Sequence, residues 1–367
     1  MKKKMNKGLK IFLISLASVF AAAFVFFVFL AQASFSFIKS KNPNVTNANY
    51  FRDIVEKNPN LKDMPITKIA IMGAHDSLSY DINYKSKPNS SQDTYSNNPV
   101  LYNTCRGFIA RYSKTQMDDV YTQLECGVRY IDARVTYIDG IYYTSHGLVS
   151  GTLEKSLLQI LKFLDENPGE YIFFHIVYYY PGSSSWSDLD SYISTIKYNE
   201  KSLYDYVNYD TENKTTIGQV TYNDMTAGGT KAGVMIFGSH NETSSENYKY
   251  FRLTKFVVSC WQNKADSKRM VPAIVDRCKA NEGHSDDYLF IIQTQLTPSF
   301  KYWFETACGW SVSDMNAKNN AKIIKNENFT EWISVMPVYL CDYSTTNYKN
   351  FNKTAMEKLK EYNLSLK

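Results

Sequence analysis

Outside its first ten residues, the sequence has no excess of charge of either sign. The chain of 367 residues carries 41 lysines and arginines against 36 acidic residues. Lys2, Lys3, Lys4, Lys7 and Lys10 account for the whole difference, because no acid falls among those ten residues. The rest of the chain is neutral and has no basic stripe interleaved with aromatic residues. These absences argue against a nucleic-acid-binding protein.

The sequence also lacks internal repeats and the close Cys-x-x-Cys pairs of a structural metal site. A composition of 44% hydrophobic and 21% charged residues is that of a folded body with a sizeable core. One α/β barrel needs about 250 residues and often carries insertions, so the length fits one large domain. Disulfides and buried free thiols both remain open for the cysteines. These are Cys105, Cys126, Cys260, Cys278, Cys308 and Cys341.

An apolar run without any charge follows the amino-terminal lysines. It extends over residues 11–30 and precedes Ala31-Gln32-Ala33, a small-x-small pattern that signal peptidase recognises. The run is longer than the roughly 7–15 residues of a signal core and close to the roughly 20 that span a bilayer. A cleaved signal peptide and a retained transmembrane anchor both fit. Because the lysines stay in the cytosol, the rest of the chain is predicted to be secreted or membrane-anchored outside it.

Short apolar runs alternate with longer amphipathic stretches, which is typical of βα units. This pattern predicts an α/β fold with an irregular (β/α)8 TIM-type barrel. Only seven strands are found, so either one strand is missed or the barrel is irregular. A loop or lid is predicted at residues 85–103, after the first strand. The predicted strands are 68–72, 130–135, 141–144, 171–178, 234–238, 288–294 and 335–341, and the predicted helices are 116–126, 153–167, 187–207, 267–280, 313–325 and 352–363.

Two of only five histidines fall at the ends of predicted strands. His75 follows residues 69–72 and a glycine, and His146 precedes another glycine. Residues at the carboxyl ends of barrel strands face the active site. An imidazole with a pKa near 6.5 acts as base or acid at neutral pH, so such a pair suits in-line displacement at phosphorus. By contrast, His175 is predicted in the core and His284 on the surface.

Asp132 and Arg134 alternate with apolar residues along the second predicted strand and therefore share one face of it. A carboxylate and a guanidinium inside a barrel are costly unless they serve each other or a ligand. A buried ion pair and a ligand site both remain open.

These segments, with their order and spacing, resemble the X domain of phosphatidylinositol-specific phospholipase C, and most closely its small X-domain-only and bacterial-type members. The resemblance covers most of residues 65–345 and is most specific in the first half. It implies a phosphoric diester hydrolase or lyase that cleaves phosphatidylinositol-like lipids to diacylglycerol and a cyclic inositol phosphate. The matching segments are 73–77, 123–134, 145–147, 170–174, 295–298 and 341–343.

The resemblance also implies a role for each matching residue. His75 is similar to the base that takes a proton from the inositol 2-hydroxyl, and His146 to the acid that protonates the diacylglycerol oxygen. Asp76 then resembles the carboxylate that supports the acid, and Asp342 the one that orients the base. Arg134 resembles the arginine that stabilises charge on the phosphoryl oxygens.

Asp76 and Arg134 also bear on metal dependence. The signalling branch of the family has an asparagine after the first histidine and holds calcium with nearby acids. A guanidinium in the metal's place implies a calcium-independent enzyme without cofactor, although calcium is not excluded. Asp132 and His240 are the candidate substrate contacts. Basic residues that grip the inositol in bacterial enzymes are missing here, so phosphodiester chemistry is a firmer expectation than the inositol head group.

Two alternatives remain open. One is a metal-dependent glycerophosphodiester or sphingomyelin-type phosphodiesterase, and the other is a catalytically inactive, membrane-tethered lipid-binding protein. The predicted domain boundaries are a signal peptide or anchor at 1–36, a tether at 37–64, a catalytic barrel at 65–345 and a packing helix at 346–367.

Overall fold

The computed structural model describes residues 6–32, 43–92, 97–239, 250–299, 301 and 311–367. The strands are β1 (Ile71–Ala74), β2 (Val128–Ile138), β3 (Ile141–His146), β4 (Leu148–Thr152), β5 (Tyr171–Tyr180), β6 (Gly233–Gly238), β7 (Phe251–Leu253), β8 (Val257–Ser259), β9 (Leu289–Gln293) and β10 (Val338–Cys341). The helices are α1 (Lys7–Gln32), α2 (Tyr50–Lys57), α3 (Pro99–Ser113), α4 (Val120–Glu125), α5 (Leu153–Glu166), α6 (Trp186–Thr195), α7 (Tyr222–Thr226), α8 (Ser267–Asn281), α9 (Val312–Ile323), α10 (Phe329–Val335) and α11 (Phe351–Ser365).

Eight of these strands form one curled parallel sheet in the order β7-β6-β5-β2-β1-β10-β9-β8. In the described part of the chain its two outer strands, β7 and β8, are not paired with each other, so the barrel is open at that side. The hairpin of β3 and β4 extends β2 in antiparallel fashion. The predicted irregular α/β barrel is therefore confirmed.

The predicted elements were wrong at several points, each for a local reason. β7 and β8 are three residues long and β4 follows β3 after one residue, so none shows a separate alternating pattern. α3 begins within the last five residues of the predicted loop because its first turn is built from loop-forming residues. Asn98 caps it by accepting a hydrogen bond from the Leu101 amide at 3.0 Å, and Pro99 begins it. The helix predicted at 187–207 ends at Thr195.

A buried ion pair connects α2 to the sheet at the amino-terminal end of its strands. Arg129 of β2 donates to the Glu170 carboxylate at 2.7 and 3.0 Å, and both side chains are fully buried. Glu170 also accepts from the amides of Phe51 and Arg52, which ties α2 to β5. Because every charged atom has a partner, the pair is tolerated without water.

α1 is apolar and long enough to cross a membrane, by length and composition, over Lys7–Phe29. No other helix in the described residues meets that criterion. A signal sequence has the same features, so the helix by itself leaves both predicted fates of this segment open.

β1 occupies the middle of the sheet, between β2 and β10, and all four of its residues are buried. Gly73 permits this close packing, since a Cβ there would lie 2.9 Å from Leu340 and 3.3 Å from Tyr130. The carboxyl ends of three adjacent parallel strands therefore meet at one edge of the sheet.

Candidate active site

Most of the residues predicted for the site lie together at that edge. His75 follows β1, Asp342 follows β10, Asp132 and Arg134 project from β2, and His146 ends β3. All five line a cavity of about 780 Å³. Asp76, next to His75, takes a φ of +43°, a left-handed conformation that aspartate tolerates better than most residues. Its carboxylate is buried behind the two histidines.

The hydrogen bonds of His75 define which ring nitrogen carries the proton. Nδ1 lies 2.7 Å from Oδ1 of Asp342, and Nε2 lies 3.0 Å from Nη2 of Arg134. A guanidinium only donates, so Nε2 must present its lone pair and the proton sits on Nδ1, facing Asp342. Burial lowers the pKa of His75 to about 4, which also favours the neutral ring. His75 therefore has the form of a base.

His146 has the opposite arrangement. Its Nδ1 lies 2.7 Å from the Ser113 carbonyl oxygen, which can only accept, and its Nε2 lies 3.2 Å from Oδ2 of Asp76. A proton on either Nε2 or the carboxylate would make this a favourable contact. Burial raises the pKa of Asp76, while burial and then Arg134 lower the pKa of His146 to about 3. The two shifts bring the proton affinities of the ring and the carboxylate closer together, and His146 lines the cavity.

Arg134 is the cation of the site. Its Nε contacts Asp76 Oδ1 and lies 3.9 Å from Asp132 Oδ1, and the ring of Tyr178 lies 5.1 Å from its guanidinium carbon. Burial lowers the pKa of Arg134, but the two carboxylates outweigh burial and raise it, so the group stays charged. Burial raises the pKa of Asp132, whose Oδ1 accepts no hydrogen bond from the described residues.

The two histidines face each other across one corner of the cavity. Their ring centroids are 6.0 Å apart and the rings are nearly perpendicular, at 80°. The Asp76 carboxylate lies between them, 3.4 Å from His75 Nε2 on one side and in contact with His146 on the other. A phosphate diester fits between a base, an acid and a guanidinium arranged in this way.

Some supporting residues could not be found from the sequence. Asn316 of α9 donates to Oδ2 of Asp342 at 2.9 Å, and Gln116 donates to the backbone oxygen of His75 at 2.9 Å. Neither residue lies at a predicted strand end, so no pattern marks it. The Ser113 carbonyl, which fixes His146, lies at the end of α3, a helix that was not predicted.

The remaining histidines and the cysteines were also placed. His175 is buried, as predicted, and its Nδ1 shares a 2.5 Å hydrogen bond with the Tyr130 hydroxyl. His284 is exposed, as predicted. His240, the other candidate substrate contact, lies outside the described residues, as does Cys308. The five described cysteines are free thiols.

A divalent metal does not fit this donor set. Ligand atoms of His75, Asp76 and Asp132 lie within 4.8 Å of one another, as in many metal sites. However, Arg134 already donates to His75 Nε2 and contacts Asp76 Oδ1, the atoms that a cation would need. A metal ion and a charged guanidinium would repel each other at this distance.

Several known proteins are similar in sequence to part of this chain. No family model matches the chain. A PI-PLC X-box domain-containing protein of Dictyostelium discoideum is 33% identical over 126 residues, which are 34% of this chain and 16% of that protein. Human PI-PLC X domain-containing protein 2 is 31% identical over 141 residues, 37% of this chain and 45% of the human protein. The chain thus spans less than half the length of these relatives.

Solved structures share the fold. A mutant of the phosphatidylinositol-specific phospholipase C from Staphylococcus aureus superimposes with a TM-score of 0.56 at 16% identity, covering 87% of this chain and 98% of the other. The corresponding enzyme from Listeria monocytogenes gives 0.53 at 18% identity, covering 86% and 98%. At these sequence identities, the comparison shows only that the barrel fold is shared. The chain is therefore similar to PI-PLC X domain-containing proteins over about a third of its length, and it shares its barrel fold with phosphatidylinositol-specific phospholipases C.

Proposed function

We propose that the chain is a metal-independent phospholipase C-type phosphodiesterase that cleaves phosphatidylinositol-like lipids by intramolecular attack. The observation that carries the proposal is the different partner that each histidine has at Nε2. His75 Nε2 accepts a hydrogen bond from Arg134, whereas His146 Nε2 lies 3.2 Å from the Asp76 carboxylate. One ring is prepared to take a proton and the other to give one, on either side of the same cavity.

In the proposed reaction, His75 Nε2 takes the proton of the head-group hydroxyl next to the phosphate. The hydroxyl oxygen forms a bond to phosphorus, and the bond from phosphorus to the diacylglycerol oxygen breaks. His146 Nε2 supplies the proton that this leaving oxygen needs. The products are diacylglycerol and a cyclic phosphodiester. His75 has gained the proton of the hydroxyl, the pair of His146 and Asp76 has lost one to the leaving oxygen, and no oxidant or water is consumed.

Arg134 has two positions in this scheme. In the free protein it donates to His75 Nε2, the atom that must be vacant for catalysis. An incoming phosphate offers the guanidinium a charged acceptor, and the substrate hydroxyl then takes its place at Nε2. The positive charge of Arg134 lowers the pKa of His146 in the free protein. The negative phosphate offsets that charge and so raises the pKa of His146 when the acid is needed.

Asp132 is the proposed contact for the head group. Its Oδ1 is a buried acceptor that no described residue uses, so it is open to a hydroxyl of the substrate. The cavity is also lined by neutral hydrogen-bonding side chains, including Thr254, Ser259, Gln293 and Gln295. A lining of this kind suits a polyol such as inositol. The catalytic body is proposed as residues 65–345, outside the cytosol.

The test is release of diacylglycerol by the full chain from phosphatidylinositol in detergent micelles containing EDTA. Alanine substitution of His75 or His146 should lower the rate at least about 100-fold, the contribution expected of a general acid or base. His284→Ala is the matched control, because that ring is exposed and remote from the cavity.

Three results would contradict the proposal. Activity that is absent in EDTA and returns with calcium would favour the metal-dependent alternative. Lipid binding without turnover would favour an inactive scaffold. Wild-type rates in both histidine variants would place the chemistry elsewhere.

A further inference from the structure

The apolar helix α1 needs a non-aqueous environment. Its 23-residue span, Lys7–Phe29, is about 35 Å long at 1.5 Å per residue, enough for the hydrocarbon core of a bilayer. Large side chains on it are open to the surroundings, with Phe20 67% and Phe24 63% exposed. A lipid bilayer is the environment that covers such a surface on all sides. The lysines at its start orient the helix so that its carboxyl end leaves the membrane on the side of the folded body.

The carboxyl end of α1 is packed against the folded body. Phe27 contacts a small apolar cluster that is separate from the main core, and Phe27 and Val28 are half buried there. We call this group the anchor cluster, and most of it belongs to α3. It consists of Ile82, Cys105, Phe108, Ile109, Ala110 and Leu148.

The anchor cluster adjoins the cavity. Tyr112 packs against the cluster and also lines the cavity. The next residue, Ser113, supplies the carbonyl that binds Nδ1 of His146. Leu148, in the cluster, lies two residues after His146 in the chain. Only one layer of side chains therefore separates the end of α1 from the candidate acid.

We propose that α1 is a retained anchor that docks on α3 and holds the mouth of the cavity at the surface of the bilayer that α1 crosses. The chain then cleaves lipids of its own membrane and reaches lipids of a facing membrane poorly. This inference rests on the proposed function. Cleavage after Ala33 would remove Phe27 and expose the anchor cluster to water, whereas retention keeps it covered.

The test uses the full chain reconstituted into phosphatidylcholine vesicles. Labelled phosphatidylinositol is placed either in the same vesicles or in separate vesicles without protein. Cleavage in the same vesicles should be faster by at least about tenfold, because tethering raises the effective concentration of the substrate. Equal rates in the two arrangements would overturn the inference.

Two variants of α1 test the docking itself. Phe27→Ala removes the side chain that contacts the anchor cluster, and the same-vesicle rate should fall several-fold while the rate in detergent micelles stays unchanged. Phe24→Ala is the matched control, since this exposed ring lies on the same helix and three residues earlier. Loss of the same-vesicle rate in both variants, or in neither, would contradict docking through Phe27.

The micelle assay separates failure of this inference from failure of the proposed function. A chain inactive in micelles refutes the phosphodiesterase, whereas a chain active in micelles but indifferent to the location of the substrate refutes only the anchoring.

The mass of the membrane-bound protein provides a further check. A product that begins after Ala33 would overturn the inference, as would a full chain recovered in water as an oligomer that buries α1 between copies.

Discussion

Replacing Asp342 by asparagine is the sharpest test of the catalytic geometry. Oδ1 of Asp342 accepts from His75 Nδ1 at 2.7 Å, and Oδ2 accepts from the Asn316 amide at 2.9 Å. The carboxylate thus accepts on both sides, which an amide cannot do because its nitrogen only donates. Asp342→Asn keeps the shape of the side chain and removes one acceptor.

Either orientation of the new amide is unfavourable. With its oxygen toward His75, its NH2 group faces the NH2 group of Asn316. With its NH2 group toward His75, Nδ1 must accept and the ring proton moves to Nε2, where the lone pair of the base is needed. A wrong tautomer of a catalytic histidine costs up to about 10⁴-fold in kcat, as in serine proteases, whereas a strained correct tautomer costs less. We expect a loss in kcat of about 10² to 10⁴-fold with a small change in KM.

The assay is steady-state cleavage of phosphatidylinositol in micelles, with unfolding in urea measured on the same variants. Asp190→Asn is the matched control, because Asp190 is a buried acid that accepts from the Tyr204 hydroxyl far along the chain from the site. It should lose stability and keep its kcat. The double variant Asp342→Asn/Asn316→Asp restores a donor opposite an acceptor and should regain part of the lost activity. Folded Asp342→Asn protein with kcat within about threefold of wild type would refute the role of Asp342 in orienting the base.

Three further variants test the surroundings of the site. Glu170→Gln should cost about 3–5 kcal/mol of unfolding free energy in urea, because the Arg129 charge stays buried without its counter-ion, and a loss below about 1 kcal/mol would contradict this. Burial lowers the pKa of His175 to about 3, so below the unfolded value near 6.5 only the unfolded chain takes up this proton. Stability should therefore fall as the pH drops from 6.5 towards 3, and this ring should contribute up to about 1.4 kcal/mol per pH unit. His175→Asn should reduce the dependence of the unfolding free energy on pH, measured by urea unfolding. An unchanged pH dependence would disprove the neutral, buried state of His175. Tyr178→Leu removes the ring stacked on Arg134 and should lower kcat/KM about two- to fivefold, with no change expected if the ring contributes nothing.

The candidate site was largely predictable because its residues follow strands. His75 and Asp342 each come directly after an apolar run, and parallel strands bring their carboxyl ends to one edge. His146 ends β3, which returns antiparallel to β2 toward the same edge. The alternation along β2 likewise placed Asp132 and Arg134 on one face. Local patterns therefore carried enough information to nominate these side chains, although their roles stay predictions until the variants are measured.

The supporting contacts of the site join segments that are distant in the sequence, and hydrophobic periodicity gives no information about such contacts. Asn316 reaches Asp342 only because α9 packs beside β10, and nothing in the sequence near Asn316 marks it. The Ser113 carbonyl reaches His146 only because the end of α3 lines the cavity. The asparagine and proline that begin α3 are residues that also begin turns. Three-residue strands such as β7 and β8 are too short for any alternation to be recognised.

The order of strands explains why the base depends on the whole chain. β1, near the start of the folded body, pairs with β2 on one side and with β10, the last strand, on the other. His75 thus meets Arg134 from the next strand in the sequence and Asp342 from the last one. The final helix strengthens the same point, since Asn363 of α11 accepts from the Ala70 amide at 2.8 Å and donates to its carbonyl at 2.9 Å, just before β1 begins. Residues from both ends of the barrel therefore determine which nitrogen of His75 carries the lone pair. The base is complete only when β10 and α11 are packed against β1.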